Sequence, residues 1–394
     1  MNQFLTRKAA RFLAILGGGI AVALALWLAT NVFNVALPGV DTSPIEVRLI
    51  VAPAAYEWVS AAATQFNAQG QRLNRRPITL RAVAQDGVGV YHQLNSSGLR
   101  PPPSAWIAEG TFAVDLANLG ARQAGGPDVF AAEGSVAQSV LMWGSFSDRV
   151  AALDARFGGL SWSALHEAAL AVQGWSSLGG RAEWGFFKMV LADPNKSSEG
   201  LAALLSAAAE FHGKNDLTAA DISDPGFQQW AQALIDAVPS FANLGLEPAR
   251  ALALRGPSAG DVGLLLESDL LSAASGLFNW QPPVLRYAVS AVAFDFPFAV
   301  WVGPEVGGDS GRRNAEQEAA RLFRDYLLSD AQQRQAETLG LRPATGNAAD
   351  TEGSLFARWM SLGVQPGRPA TASVNANAEA VLAALRWVNR VAKR

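Results

Sequence analysis

The pattern of apolar and polar positions changes character once along the chain. From Phe12 to Val40 no residue is charged, and Arg7, Lys8 and Arg11 stand just before that run. A bilayer core takes about 20 apolar residues in helical form. Basic residues on the near side place the N-terminus in the cytoplasm and the remaining chain outside. Cleaved leaders have a shorter apolar region, roughly 7–15 residues. The pattern therefore predicts an uncleaved transmembrane helix within residues 1–40 and a single-pass protein of the cell membrane with its C-terminal domain extracytoplasmic.

Beyond Pro44 the pattern becomes short strands alternating with amphipathic helices. Ile45, Val47, Leu49 and Val51 have the two-residue period of a strand, and Trp58, Val59, Ala62, Ala63 and Phe66 the helical one. Ile78, Leu80 and Ala82 mark a second strand after the basic turn Arg72 to Arg76, and Ser139 to Trp143 a buried one. Phe186 to Leu191 predicts a strand, the polar run Asp193 to Gly200 a loop, and Leu201, Leu204, Leu205, Ala208 and Phe211 the face of a helix. Asp224 and Pro225 suit the N-cap and first turn of the next helix. Val262 to Leu266 is a strand ending at Glu267, and Ala288 to Val302 supplies further strand segments. A helix through Leu322, Phe323 and Leu327 precedes Ser329-Asp-Ala-Gln332, a capping-box pattern opening a short helix that stops at Gly340. Such alternation predicts α/β layers around largely parallel sheets.

Composition narrows the function classes. The 394 residues are 50% hydrophobic and 16% charged, enough apolar mass for two lobes. A net charge of −3 without a basic run argues against nucleic acid as a partner. The absence of cysteine removes disulfides, thiolate nucleophiles, cysteine zinc sites and any lipidated cysteine anchor. His92, His166 and His212 are too scattered for a metal site, and no GxSxG, P-loop or HExxH pattern occurs. No catalytic residue, metal or cofactor is assigned. What remains is the strand–loop–helix from Trp184 to Leu205. It places Ser197 and Ser198 at a helix start, where free amides and the positive dipole end suit an anion or polar ligand. A plain N-cap accounts for a serine there equally well. Of the twelve tryptophans, Trp58, Trp143 and Trp230 sit in apolar patterns, whereas Trp106, Trp175 and Trp280 lie near turns as candidate cleft walls.

Asp193 to Leu205 resembles the Asp-Pro-x-x-Ser-x-Ser/Glu-Gly-Leu segment of bacterial extracellular solute-binding proteins, in particular the molybdate- and phosphate-type group often associated with von Willebrand factor A domains. Ile45 to Phe66, Pro103 to Trp106, Leu160 to Leu165 and Phe323 to Thr345 are similar to its other segments, in the same order. The resemblance implies a two-lobed α/β architecture, the type 2 periplasmic-binding-protein-like fold, with an N-terminal transmembrane helix in place of a lipid anchor. It divides the chain into an anchor (1–40), a first lobe in two parts (41–140 and 281–345), a second lobe (141–280) and a C-terminal helical extension (346–394), where Ala378, Val381, Leu382, Leu385 and Val388 share a helix face. Carried over by position, Ser104, Ser197, Ser198 and Glu267 are the candidate ligand-binding residues. The function implied is capture of a small polar or anionic ligand between lobes, in the service of a transporter. Its alternative is a non-transport interaction scaffold partnering a von Willebrand factor A protein. An enzyme on the same fold is the third possibility.

Overall fold

The computed structural model describes residues 42–304, 310–350 and 353–391, so the expected membrane helix lies outside the described residues. Among those described, no helix is long and apolar enough to cross a membrane.

The first lobe is built on β1 (Ile45–Val51), α1 (Pro53–Ala68), β2 (Arg72–Leu73), β3 (Arg76–Ala84), α2 (Gly87–Ser96), β4 (Ala105–Ile107), α3 (Thr111–Gln123) and β5 (Phe130–Ser135). The second holds β6 (Leu141–Phe146), β7 (Met189–Val190), α4 (Ser198–His212), α5 (Ala219–Ser223), α6 (Pro225–Asp236), β8 (Val262–Leu266), α7 (Glu267–Leu277) and β9 (Pro283–Tyr287). The chain then returns to the first lobe as β10 (Pro297–Trp301) and continues through α8 (Ser310–Leu327), α9 (Asp330–Thr338) and α10 (Ala378–Val391).

Each lobe wraps its own sheet. The first has the order β2-β3-β1-β4-β10-β5, the second β9-β6-β8-β7. In the first, β1 runs parallel to β3 and β4, while the returning β10 is antiparallel to its neighbours β4 and β5. In the second, β8 is antiparallel to β6 and parallel to β7, and β9 is antiparallel to β6. Because β1, β3 and β4 are parallel, the loops that follow them all emerge at one end of the sheet, which is where this architecture forms sites. The two crossings meet where Ser139 bridges Phe294.

Most sequence expectations map onto these elements, and five differ. The sheets are mixed rather than largely parallel, because the returning β10 and the β6, β8 and β9 strands pair antiparallel. The strand expected at Ser139 begins at Leu141, because Ser139 is engaged in the crossing. Of Phe186 to Leu191 only Met189 and Val190 pair, because the preceding backbone turns on Gly185 (φ +72°), whose carbonyl accepts from the Trp175 amide. Ser329 caps nothing with its side chain. Its hydroxyl donates to the Tyr326 carbonyl, and the Gln332 amide turns to Gln65 and the Tyr326 hydroxyl. Finally, β9 lies in the second lobe's sheet, although 281–345 was expected in the first lobe, because its backbone pairs along Met142 to Phe146.

The C-terminal segment ties the lobes together. Ala372–Ser373 pairs with Ser290–Ala291 in the crossing, and Asn375–Ala376 with Asp216–Leu217 of the second lobe. Helix α10 then packs on α4 and α5 of the second lobe and on α3 of the first. It buries Ala378, Val381, Leu382, Leu385 and Val388, all five positions the helical spacing marked, together with Trp387.

Candidate functional site

Three first-lobe loops and two second-lobe helix starts converge between the lobes. The first lobe presents Ala52–Pro53 after β1, Gln85–Gly87 after β3 and Ala108–Gly110 after β4. The second presents Ser197–Gly200 at the start of α4 and Leu266–Asp269 at the start of α7.

Asp86 is the centre of the contact. It N-caps its own helix through the Val88 amide at 2.8 Å and also accepts, across the lobes, from the Ser198 amide (3.0 Å) and hydroxyl (2.9 Å). A carboxylate at the dipole-positive end of two helices is well placed. Beneath it, Glu109 is buried and accepts from the Gly87 amide with both oxygens at 3.1 and 3.2 Å. Gly87 has no room for a side chain, since a Cβ there would stand 2.9 Å from Glu109 and 3.0 Å from the Ser198 hydroxyl. Burial, and then the charge of Asp86, push the Glu109 carboxyl well above the usual carboxylate range. Burial raises Asp86 as well, but the Ser198 and Val88 donors oppose it. The donors at Asp86 favour the charge there over Glu109.

A second pair of acids lies on the other side of Ser198. Glu199 is buried, accepts from the Leu266 amide at 2.8 Å, and is pushed up to about 8 by burial and then by the charges of Asp269 and Asp86. Asp269 is pushed up to about 6, mainly by burial, with Glu247 adding to it. Alongside opens a cleft of about 420 Å³, walled by Pro53, Ala54 and Glu57 from the first lobe and by Glu247, Arg250 and Asp269 from the second. Arg250 is paired with Glu247 at 3.0 Å. The α1 start lining this cleft has no side-chain cap. Pro53 carries no N–H and the Ala55 amide donates to the Ala52 carbonyl, so the Ala54 amide is the first donor it can offer a ligand.

The fold favours the protonated form of Glu199, whose carboxyl ordinarily titrates near 4.5. That stabilisation is complete below about pH 4.5 and is lost as the pH rises through about 8. Thermal unfolding followed at about pH 5 and about pH 8.5 is expected to show the lower midpoint at the higher pH. Glu199→Gln should reduce the difference, with the raised Asp269 and Glu109 carrying the remainder, and a variant with an unchanged pH profile would place the titration elsewhere.

The four candidate residues separate. Ser198 is in the interlobe contact. Ser197 is the N-cap of α4, accepting from the Glu199 and Gly200 amides. Glu267 is fully buried and held by Arg342 through two bonds of 2.7 and 2.8 Å, with the Tyr287 hydroxyl donating as well. Ser104 lies at the amino end of β4, the opposite end of the sheet from the cleft. Its hydroxyl donates to Glu316 and accepts from the Arg48 amide. Among the tryptophans expected as cleft walls, Trp106 and Trp175 are wholly buried in the cores, and Trp280 donates to the Ala253 carbonyl of the second lobe. Asp86 and Glu109 were missed. The Asp-Gly-Val-Gly run from Asp86 signals an N-cap at most, and its partner lies 112 residues away. Among the described residues, no group of three or more His, Asp or Glu is placed to hold a metal ion.

Solved structures share this two-lobed arrangement. The periplasmic binding protein AfuA of Actinobacillus pleuropneumoniae, with exogenous fructose-6-phosphate bound, is 13% identical and aligns over 88% of this chain and 98% of its own, with a TM-score of 0.54. Iron-bound HitA of Pseudomonas aeruginosa is 13% identical over 88% and 99% of the two chains, with a TM-score of 0.55. The chain has the periplasmic-binding-protein fold. That fold also carries catalysis: thiaminase I of Bacillus thiaminolyticus is 10% identical over 88% of this chain and 99% of its own, with a TM-score of 0.50. No protein-family model and no curated protein matches the sequence.

Proposed function

We propose that this protein is a membrane-anchored, extracytoplasmic solute-binding protein that holds a small polar ligand between its lobes. The observation that carries this reading is the 420 Å³ cleft shared by both lobes, with an uncapped helix start on one wall and carboxylates on the other. The Ala54 amide receives a ligand's oxygen, and Asp269 with Glu57 receives an amine or hydroxyls. A zwitterion or a polyol suits this lining. A simple anion suits it less, because Asp86 already occupies the Ser198 helix start and three of the named wall residues are acidic. The anchor is supported by the uncharged run from Phe12 to Val40, and delivery to a transporter is the use this reading gives the captured solute.

The alternative, a non-transport scaffold partnering a von Willebrand factor A protein, is favoured by one observation. Helix α10 and the Asp86–Ser198 contact fasten the two lobes into one body. A thermal-shift screen of the full chain with amino acids, polyols, sugars and oxyanions separates the two. A ligand present at about 100 times its dissociation constant adds about 2.7 kcal/mol. The expected hit is an amino acid or polyol whose shift disappears in Asp269→Asn. No shift with any class would sink solute capture and leave the scaffold.

A further inference from the structure

The first lobe carries an arginine turn that neither reading of the cleft uses. β2 and β3 form a tight hairpin in which Arg72 pairs with Pro77 and Leu73 with Arg76. Asn74 and Arg75 at its tip both take left-handed backbone, with φ of 51° and 71°. Left-handed φ at both tip residues is the geometry of a two-residue turn matched to strand twist, and arginine is an uncommon choice there. Arg72 and Arg75 are exposed, and neither forms an ion pair with any described residue. Among the described residues the Arg72 guanidinium donates to the Arg75 carbonyl alone, which pins the turn rather than neutralising it.

Its position gives the turn a partner. Arg76 donates to the Ser43 carbonyl at 2.9 Å, so the hairpin stands beside the point where the described chain passes back toward residues 1–41. Only three residue steps separate Ser43 from Val40, the last residue of the uncharged run. Three residues span at most about 10 Å, which is close to the ~8–10 Å screening length at ordinary salt. The end of the apolar run therefore lies no more than about 10 Å from Ser43, at the base of this turn. The turn lies at the amino ends of the parallel strands, and the cleft lies at their carboxyl ends. Seating the turn on a surface leaves the cleft facing away from it.

We propose that the turn Arg72–Arg76 seats on anionic lipid headgroups of the bilayer that holds residues 12–40, fixing the first lobe base-down on the membrane. This rests on the anchored reading above. Guanidinium groups pair with phosphate oxygens through parallel donors, and at a net charge of −3 the protein as a whole has no general attraction to such a surface.

The chain has no native cysteine, which permits a clean test. Gln71→Cys, an exposed position beside the turn, is labelled with a fluorophore in the full chain. The chain is then reconstituted into phosphatidylcholine vesicles with or without phosphatidylglycerol, each carrying a headgroup quencher. Quenching should be strong only with phosphatidylglycerol and should fall at about 1 M salt, where screening shortens to ~3 Å. Each arginine near an anionic surface is worth about five-fold, so Arg72→Gln with Arg75→Asn should weaken the seating roughly 30-fold. Asparagine is chosen at 75 because it tolerates the left-handed backbone. Equal quenching in both lipids, or quenching indifferent to the double variant, overturns the proposal while the anchor stands. Flotation with phosphatidylcholine vesicles after an alkaline wash reports the anchor separately, and a chain that fails to float overturns both.

Discussion

Arg342→Ala is expected to cost about 3–5 kcal/mol of stability, the usual loss when one partner of a buried ion pair is removed. Glu267 has no exposed surface, and Arg342 is its only cationic partner among the described residues. The same guanidinium donates to the carbonyls of Gly346, Gln365, Pro366 and Gly367 and stands 4.8 Å over the Phe356 ring. One side chain thus fastens α7, the Tyr287 strand and the segment leading to the C-terminal helix. Arg342→Lys should recover only part of the loss, because an ammonium cannot satisfy both carboxylate oxygens and four carbonyls together. Arg342→Met with Glu267→Leu should recover more, since no charge is then left buried. Denaturant midpoints of the three variants check the order. An alanine variant within about 1 kcal/mol of the parent would mean that Glu267 is simply protonated without its partner.

The second large effect is expected at Trp387, buried on α10 with its ring 6.1 Å from that of Phe227. Trp387→Ala should cost about 3–5 kcal/mol by the usual scale for large core truncations. The more informative readout is the distance between the lobes, because α10 is the element that packs on α3 from one and on α4 and α5 from the other. Spin labels at Glu57→Cys and Arg250→Cys report the width of the cleft. The parent should give one narrow distance and Trp387→Ala a broad or longer distribution. A variant that loses stability but keeps the narrow distance would show that Asp86 and Ser198 hold the lobes without the helix.

Local pattern carried much of the fold. The period-two run Ile45 to Val51, the helix through Trp58 to Phe66, the Asp224–Pro225 start and the strand Val262 to Leu266 all lie where spacing put them. These are signals written within a dozen residues. The site is different because its parts are related across the chain. Ser198 could be read as a helix start, but not as the partner of Asp86. Glu267 could be read as the end of a strand, but not as the counter-ion of an arginine 75 residues on. Ser104 ends a proline-rich turn that sequence alone could place in a binding loop, yet it closes the far end of the sheet because β4 begins there and runs away from it. Trp106 and Trp175 look turn-associated in sequence, and both are buried because the strand and the short helical turn that carry them are themselves internal.

Asp86 changes what affinity means for the cleft. A carboxylate belonging to the protein already rests on the Ser198 amide and hydroxyl, so any ligand that needs the lobes apart competes with a tethered rival that never diffuses away. If that rival holds the lobes shut in about 99% of molecules, the measured dissociation constant is about a hundred-fold weaker than the open cleft alone would give. Sensitivity to solute concentration could then be reset by a residue that never touches the solute, leaving the specificity written into the cleft walls unchanged.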